Sequence, residues 1–561
     1  MGKKKKPQLT IAAADCETDP FKMGRLNITP FSWGIYDGST YHEFWGDDAT
    51  EQFVSFLKDY PEPLTIYAHN GGKFDWLFLF KYLSGDMRFI GSRLVQANLF
   101  HHELRDSFAN MPVPLRSFED KSVGNKIEFD YSKLERNKRK KHKKEILAYQ
   151  KQDVLVLYNA VTQWLEMFGE KPLTMASAAM NELKASLAEM DIKVETLKEW
   201  QDRELRPFYF GGRVCCFEKG IVLPRPGREW KVFDVNSMYP DAMKSERHPI
   251  GAEYKTKREI TDETDFAIID ATSRGALPFR AENGSVGFPH GRKIFHATGH
   301  EIRAALELGS LEIHRVLEAR EFLLKMSFDD FVDKFYTLRL KAKLDLNEMY
   351  VLFYKLVLNS AYGKFAINPD DFADSVLLPV GEFPDDYVED GEWFEKVIID
   401  DFGLVLWERP ARGRKHSYMN VATAASITGA ARAKILRGLA LATRPVYCDT
   451  DSIICEDFAG DCHDSELGKW KFEGAGKVIA IAGKKMYALT DGYDLAKDGS
   501  RRMKDIVKTA SKGVNIPANE IILAAQGQTI TYTAEAPVFK IGGRQLLLTR
   551  RIRNTAKIEA P

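Results

Sequence analysis

Apolar residues follow two periods along the chain, and the switches between them divide it. LTIAAADCET and LTIYAHN are short, nearly continuous apolar runs, as expected of strands buried in a sheet. From Glu145 to Phe168 the period is helical, with Ile146, Tyr149, Asp153, Leu157 and Val161 near one face. Gly169–Pro172 breaks that pattern, so residues 1–172 read as a first, α/β unit. Beyond it, TMASAAMNELKASLAEM predicts another helix, KVFDV a strand leading into NSMYP, and Phe328–Ser360 a long helical region. The Gly/Pro-punctuated stretch Pro369–Gly403 reads as an insertion, VYCDTDSII as strand–turn–strand, and the last 50 residues as short strands and turns.

Composition narrows this. A chain of 561 residues has room for about three or four domain-sized units. Its 44% apolar and 29% charged residues suit a soluble protein. No run of about 18 uncharged apolar residues is present, so no membrane span is expected. The start, MGKKKKPQLT, lacks the apolar core of a signal peptide. Six cysteines without zinc-finger spacing read as reduced thiols of a cytosol. Net charge is zero but segregated: Arg136–Lys144 is strongly basic, and Asp370–Asp401 holds twelve acidic residues against one base, Lys396. A nucleic-acid enzyme needs a locally positive groove, not a positive total.

Two sets of carboxylates carry candidate chemistry. Asp15 and Glu17 stand two apart at the end of an apolar strand, on one face. Asp75 follows in HNGGKFD, and Asp153 lies one helical turn after Tyr149. Four carboxylates can hold two Mg²⁺ or Mn²⁺ ions, the arrangement that cleaves phosphodiesters. In the second set, Asp234 ends KVFDV while Asp449 and Asp451 flank the turn of YCDTDS. These aspartates can clamp the two ions of nucleotidyl transfer, with Lys355, Asn359 and Tyr362 forming one helical stripe beside them.

Taken singly, such pairs are most often solvated strand ends; their order gives them weight. DxE, N-x₄-D and Y-x₃-D resemble the three exonuclease motifs of the DnaQ-like (DEDDy) superfamily. That resemblance makes Asp15, Glu17, Asp75 and Asp153 metal ligands and Tyr149 the residue orienting the attacking water. It makes Asn70, Phe74, Ser107 and Phe108 ligands of single-stranded DNA, and adds Lys126 and Tyr131 as a further basic-and-tyrosine element. The second glycine of HNGGKFD departs from the HNxKFD form. DVNSMYP, K-x₃-NSAYG and YCDTDS resemble motifs A, B and C of family B DNA polymerases. The resemblance makes Asp234, Val235 and Asp451 metal ligands with Asp449 supporting. Val235, Tyr239, Lys343, Lys355, Asn359 and Tyr362 become contacts of the incoming dNTP, Tyr239 as steric gate against a 2′-hydroxyl. KKMYAL, with Lys485 and Tyr487, matches the element near a primer end.

FYFGG resembles the YxGG motif of protein-primed phage polymerases, in which Tyr209, Gly211 and Gly212 would hold template or primer. The 121 positions between Asp234 and Lys355 exceed the roughly 40 that two finger helices need, leaving room for an insertion. With DPFKMGR, PFSWG, IYAHNGGKFDWLFL, MNELK and RPFYFGG, the chain looks most like the polymerases of tectivirus-type phages. That resemblance implies a multidomain α/β and α+β fold: an N-terminal RNase H-like 3′–5′ exonuclease, then a right-hand (palm, fingers, thumb) family B polymerase with two insertions. The expected divisions are 1–172 exonuclease, 173–245 and 416–508 palm, 246–327 first insertion (terminal-protein region), 328–367 fingers, 368–415 second insertion and 509–561 thumb. It also implies primer–template DNA and dNTPs as substrates, a terminal protein as primer, strand displacement, a phage single-stranded DNA-binding protein as partner, a monomer, and the cytoplasm of a bacterial host. A conventional DNA-primed repair polymerase stays open as the alternative. A reverse transcriptase or RNA polymerase would leave DxE and Y-x₃-D unused.

Overall fold

The computed structural model describes residues 10–19, 29–118, 127–170, 172–368, 372–389, 391–399, 403–411, 418–496, 499–511, 516–530, 537–542 and 545–550. Two large sheets organise it. The first has ten strands, and third from one edge is Thr10–Thr18, between the parallel Leu64–Ala68 and the antiparallel Pro30–Tyr36. These are the continuous apolar runs: all of Leu64–Ala68 is buried, because the helix Lys143–Phe168 covers the sheet. That helix is pinned from below. Gln150 donates to the Asp15 carbonyl at 3.0 Å and accepts from Ser32 Oγ at 2.7 Å.

The first sheet runs on where the sequence suggested a separate insertion. Ala373–Pro379 pairs with Ser84–Ile90, and Leu404–Pro410 and Phe394–Ile399 follow it outward. The acidic stretch is thus edge sheet on the N-terminal unit. The Phe394–Ile399 edge in turn lies against the hairpin Pro537–Gly542/Gln545–Arg550. Part of the basic run is also structural. Arg139 is buried over the Phe31 ring and bonds Asp47 at 2.8 Å.

The second sheet has eight strands, with Trp230–Val235 between Ser452–Phe458 and Trp470–Gly483. Its outer strand Arg501–Ser511 crosses the 508/509 boundary expected from sequence, and the helix Ala518–Ala525 packs back on Trp470–Gly483. The long helical region expected at 328–360 is two antiparallel helices, Asp329–Leu344 and Glu348–Ser360. Leu346 takes a positive φ of 55° between them, and Asn347 caps the second. Residues 254–322 contribute a four-stranded sheet, with Thr298 and Glu301 forming a capping box on Gly299–Glu307.

A helix the hydropathy pattern did not show, Val421–Leu441, runs through the centre. It is buried on nearly every side and built of small residues, so it has no polar face to generate a period. A side chain at Gly429 would collide with Thr298, and one at Gly438 with Trp470. One apolar core joins Ala13 and Tyr67 of the first sheet, Trp164, Phe353, and Val235 of the second. No helix among the described residues is long and apolar enough to cross a membrane.

Candidate active sites

The first site lies at the end of Thr10–Thr18. Asp75, nearly fully buried, accepts from the main chain of Cys16 at 3.1 Å, which sets it against the residue between Asp15 and Glu17. Burial pushes the Asp75 carboxyl up to about 6. Tyr149 is raised by burial first and then by the charges of Asp153, Glu17 and Asp15, so the helix delivers its hydroxyl among all three. The exposed Tyr131 shares a 3.1 Å hydrogen bond with that hydroxyl, and Phe129 stacks on the Tyr149 ring. Lys126 lies outside the described residues.

The extra glycine of HNGGKFD has a steric reason. A Cβ at Gly72 would meet the Leu94 carbonyl at 1.8 Å, and one at Gly71 would meet Ala68 and Trp76. Asn70 turns the chain into this loop with φ 67°. Phe74 packs edge-on to Phe78 and is half-buried. Phe108 is half-buried under the Arg93 guanidinium. Ser107 is fully buried, its hydroxyl shared between the Ala68 carbonyl and His69.

The second site is built on adjacent strands. Asp449 pairs with Ser452 across a two-residue turn, Thr450–Asp451. Thr450 is β-branched yet has φ 56°, a strained conformation held by its N–H donating to the Arg213 carbonyl at 2.7 Å. Val235 donates to the Asp451 carbonyl at 2.8 Å, which brings the turn beside Asp234. Burial, then Asp451 and Glu473, push Asp234 up to about 7; burial and then Asp449 raise Asp451.

A cavity of about 290 Å³ opens here, lined by Asp234, Val235, Tyr239 and Asp451 on one side and by Lys343, Lys355 and Asn359 on the other. Six expected dNTP or metal residues far apart in sequence therefore share it with Asp451. Tyr362 sits past the helix end, on the turn Tyr362–Ala366 rather than on the helical stripe, and stacks on Tyr239. Near the mouth Lys485 pairs with Asp449, while Tyr487 is buried against Tyr447. FYFGG runs alongside: a Cβ on Gly212 would meet Thr450 at 2.7 Å, whereas Gly211 faces open space.

Among the described residues no three His, Cys, Asp or Glu form a ready metal cluster. The donor chemistry nevertheless fits Mg²⁺, which takes one or two carboxylates and completes its shell with water and substrate phosphate. Asp234 and Asp451 are close enough to repel, and the Val235 side chain is buried, so only its carbonyl would be open to an ion.

Residues 99–401 match the family described as DNA polymerase type B, organellar and viral. The chain is 41% identical to the DNA-directed DNA polymerase of Enterobacteria phage PRD1 over 98% of its own length and 99% of that protein's. The chain belongs to the type B DNA polymerases. It is also 26% identical to the DNA polymerase of Bacillus phage phi29, over 71% of this chain and 69% of that one. The solved phi29 enzyme superposes with a TM-score of 0.67 at 19% identity, covering 91% of this chain and 94% of its own. Its complex with primer-template DNA and incoming nucleotides gives 0.68 at 20%, covering 91% and 93%. The fold is accordingly an exonuclease-type domain followed by palm, fingers and thumb.

Against this polymerase frame, sequence reasoning missed several site residues. Tyr336 and Arg339 line the cavity one helical face with Lys343, at i, i+3 and i+7, a spacing legible in hindsight. Lys471 joins them, and Lys508 bonds Glu473 at 2.6 Å beside Asp234. Arg432 forms a buried two-pronged pair with Glu301, at 2.7 and 2.9 Å, and also donates to the carbonyls of Phe210 and Gly211. Its signal was the first charged residue after eleven small or apolar ones, Val421–Ala431.

Proposed function

We propose that this type B DNA polymerase copies a linear phage genome from a protein primer with strand displacement, and proofreads with its own 3′–5′ exonuclease. The observation that carries the polymerising half is the 290 Å³ cavity, which sets a carboxylate pair against Arg339, Lys343, Lys355 and Lys471. That is the charge arrangement a metal-bound dNTP demands. Asp234, Asp451 and the Val235 carbonyl would hold Mg²⁺ or Mn²⁺; bound there, the ions activate the primer hydroxyl and hold the triphosphate. The cations opposite neutralise triphosphate oxygens, Asn359 orients them, and the stacked Tyr239–Tyr362 pair floors the sugar pocket. Lys485 braces Asp449 and so the turn carrying Asp451.

In the excising half, Asp15, Glu17, Asp75 and Asp153 would hold a second pair of ions. Tyr149, steadied by Tyr131, orients water toward a terminal phosphodiester. Asn70, Phe74 and Phe108 border the path of the frayed strand, with Ser107 bracing that loop from inside. Substrates are primer–template DNA and dNTPs, the partners a terminal protein and a single-stranded DNA-binding protein, and the setting is the cytoplasm of a bacterial host. Residues 1–172 would form the exonuclease, 173–245 and 416–508 the palm, 246–327 the terminal-protein region, 328–367 the fingers, 368–415 the second insertion and 509–561 the thumb.

Priming by protein is supported by FYFGG and by the folded insertion at 254–322 that adjoins it. The experiment supplies a linear origin-bearing template, the candidate terminal protein, labelled dNTP and Mg²⁺ without an oligonucleotide. Label on the terminal protein is expected. Absence of label while oligonucleotide extension proceeds would favour the DNA-primed alternative.

A further inference from the structure

The FYFGG loop is not held by its own unit alone. Arg280, on the short hairpin Phe279–Arg280/Val286–Gly287 of the 246–327 region, donates from Nη2 to the Tyr209 carbonyl at 3.1 Å and covers the Phe210 ring at 5.1 Å. A second tie runs the other way. The buried Arg213, immediately after the loop, donates to the Gly275 and Ala276 carbonyls at 2.8 and 3.3 Å and stacks on Phe288. Its own carbonyl accepts the Thr450 N–H, the bond that holds the strained catalytic turn. Lys484, next to Lys485, reaches the Val286 carbonyl at 2.8 Å. The hairpin and the residues flanking it thus touch the loop, the residue before the primer-end pair, and Arg213, which in turn bonds the catalytic turn.

We infer that Arg280 is a positioning residue for the FYFGG loop, and that through it the first insertion sets how a primer end divides between polymerisation and excision. Arg432 holds the Phe210 and Gly211 carbonyls from the central helix, and Arg280 adds the hold on the Tyr209 carbonyl from another unit. Gly211, with open space around it, offers no rigidity of its own. Arg280 is exposed and lies outside the core, so its removal tests position without a cavity. The inference rests on the two-site reading above.

The test uses the full chain, an oligonucleotide primer–template, Mg²⁺ and a titration of dNTPs, and reads the concentration at which net extension overtakes degradation. Arg280→Ala should raise that concentration about fivefold, the weight of one charge-assisted hydrogen bond at an exposed position. Arg280→Lys should recover part of it. Single-strand degradation and Tm should match the parent. An unchanged balance point overturns the inference, and so does a proportional fall of both activities with Tm, which makes Arg280 merely structural. If the parent itself degrades no primer, the two-site reading fails, and that result is visible before any variant is made.

Discussion

The rings of Tyr239 and Tyr362 lie face to face, with centroids 4.2 Å apart and planes 19° from parallel. One comes from the first turn of the helix Met238–Ser245 and the other from the turn after the helix Glu348–Ser360, so the pair ties the two elements beside the cavity. A ring stacked face to face on another is held in place against a 2′-hydroxyl. Tyr239→Val should therefore lower discrimination against ribonucleotides by about tenfold or more, 1.4 kcal/mol per decade. The readout is the ratio of kcat/KM for dCTP and CTP. An unaltered ratio would remove Tyr239 as the gate.

The two carboxylate sets sit on different sheets and share no residue. Asp451→Ala should abolish nucleotide addition while leaving single-strand degradation near the parental rate. Asp15→Ala with Glu17→Ala should do the reverse. Gel assays on a labelled primer separate the two, and loss of both activities from either variant would indicate misfolding instead.

What the sequence made legible was the local part of these sites. Asp15 and Glu17, Tyr149 and Asp153, and the Asp449–Asp451 turn are each set by a strand or helix period, and each falls where that period puts it. Tertiary placement was not legible. Nothing in Ala373–Pro410 announces that it extends the first sheet, because an edge strand selects its neighbour by backbone hydrogen bonds rather than by side chains. Val421–Leu441 escaped because uniform burial erases amphipathicity. Arg432 and Glu301 are 131 positions apart, and only the crossing of two helices makes them a pair.

Asp234 should make stability depend on pH. Its carboxyl is pushed up to about 7 by burial, Asp451 and Glu473, against the opposing pull of Lys508 and Lys471. The folded chain keeps a proton that the unfolded chain gives up near pH 4. This group's contribution is thus fully present below about pH 4 and lost as pH rises through about 7. In EDTA, Asp234→Asn should melt close to the parent at pH 5 and above it at pH 8, the gap widening by about 2 °C or more. Mg²⁺ should narrow the gap by neutralising the parent's carboxylates. A gap independent of pH, followed by thermal-shift fluorimetry, would mean that Asp234 is not held protonated.

Lys508 provides a check on the same electrostatics from the opposite side. Its ammonium bonds Glu473 at 2.6 Å and lowers both Asp234 and Asp451, while Glu473 raises them. Lys508→Met keeps the aliphatic stem and deletes the charge, so Asp234 should ionise at still higher pH. The acid limb of the polymerisation rate should then move up by roughly one pH unit, the effect of one nearby charge in a medium of intermediate dielectric. Glu473→Gln should move it down, and the double variant should lie between. The profile of the proposed exonuclease, assigned to the separate cluster around Asp75, should stay in place and serves as the internal control. A polymerase profile that merely scales down, without shifting along the pH axis, would assign Lys508 to packing and leave the charge balance of the site to Lys471.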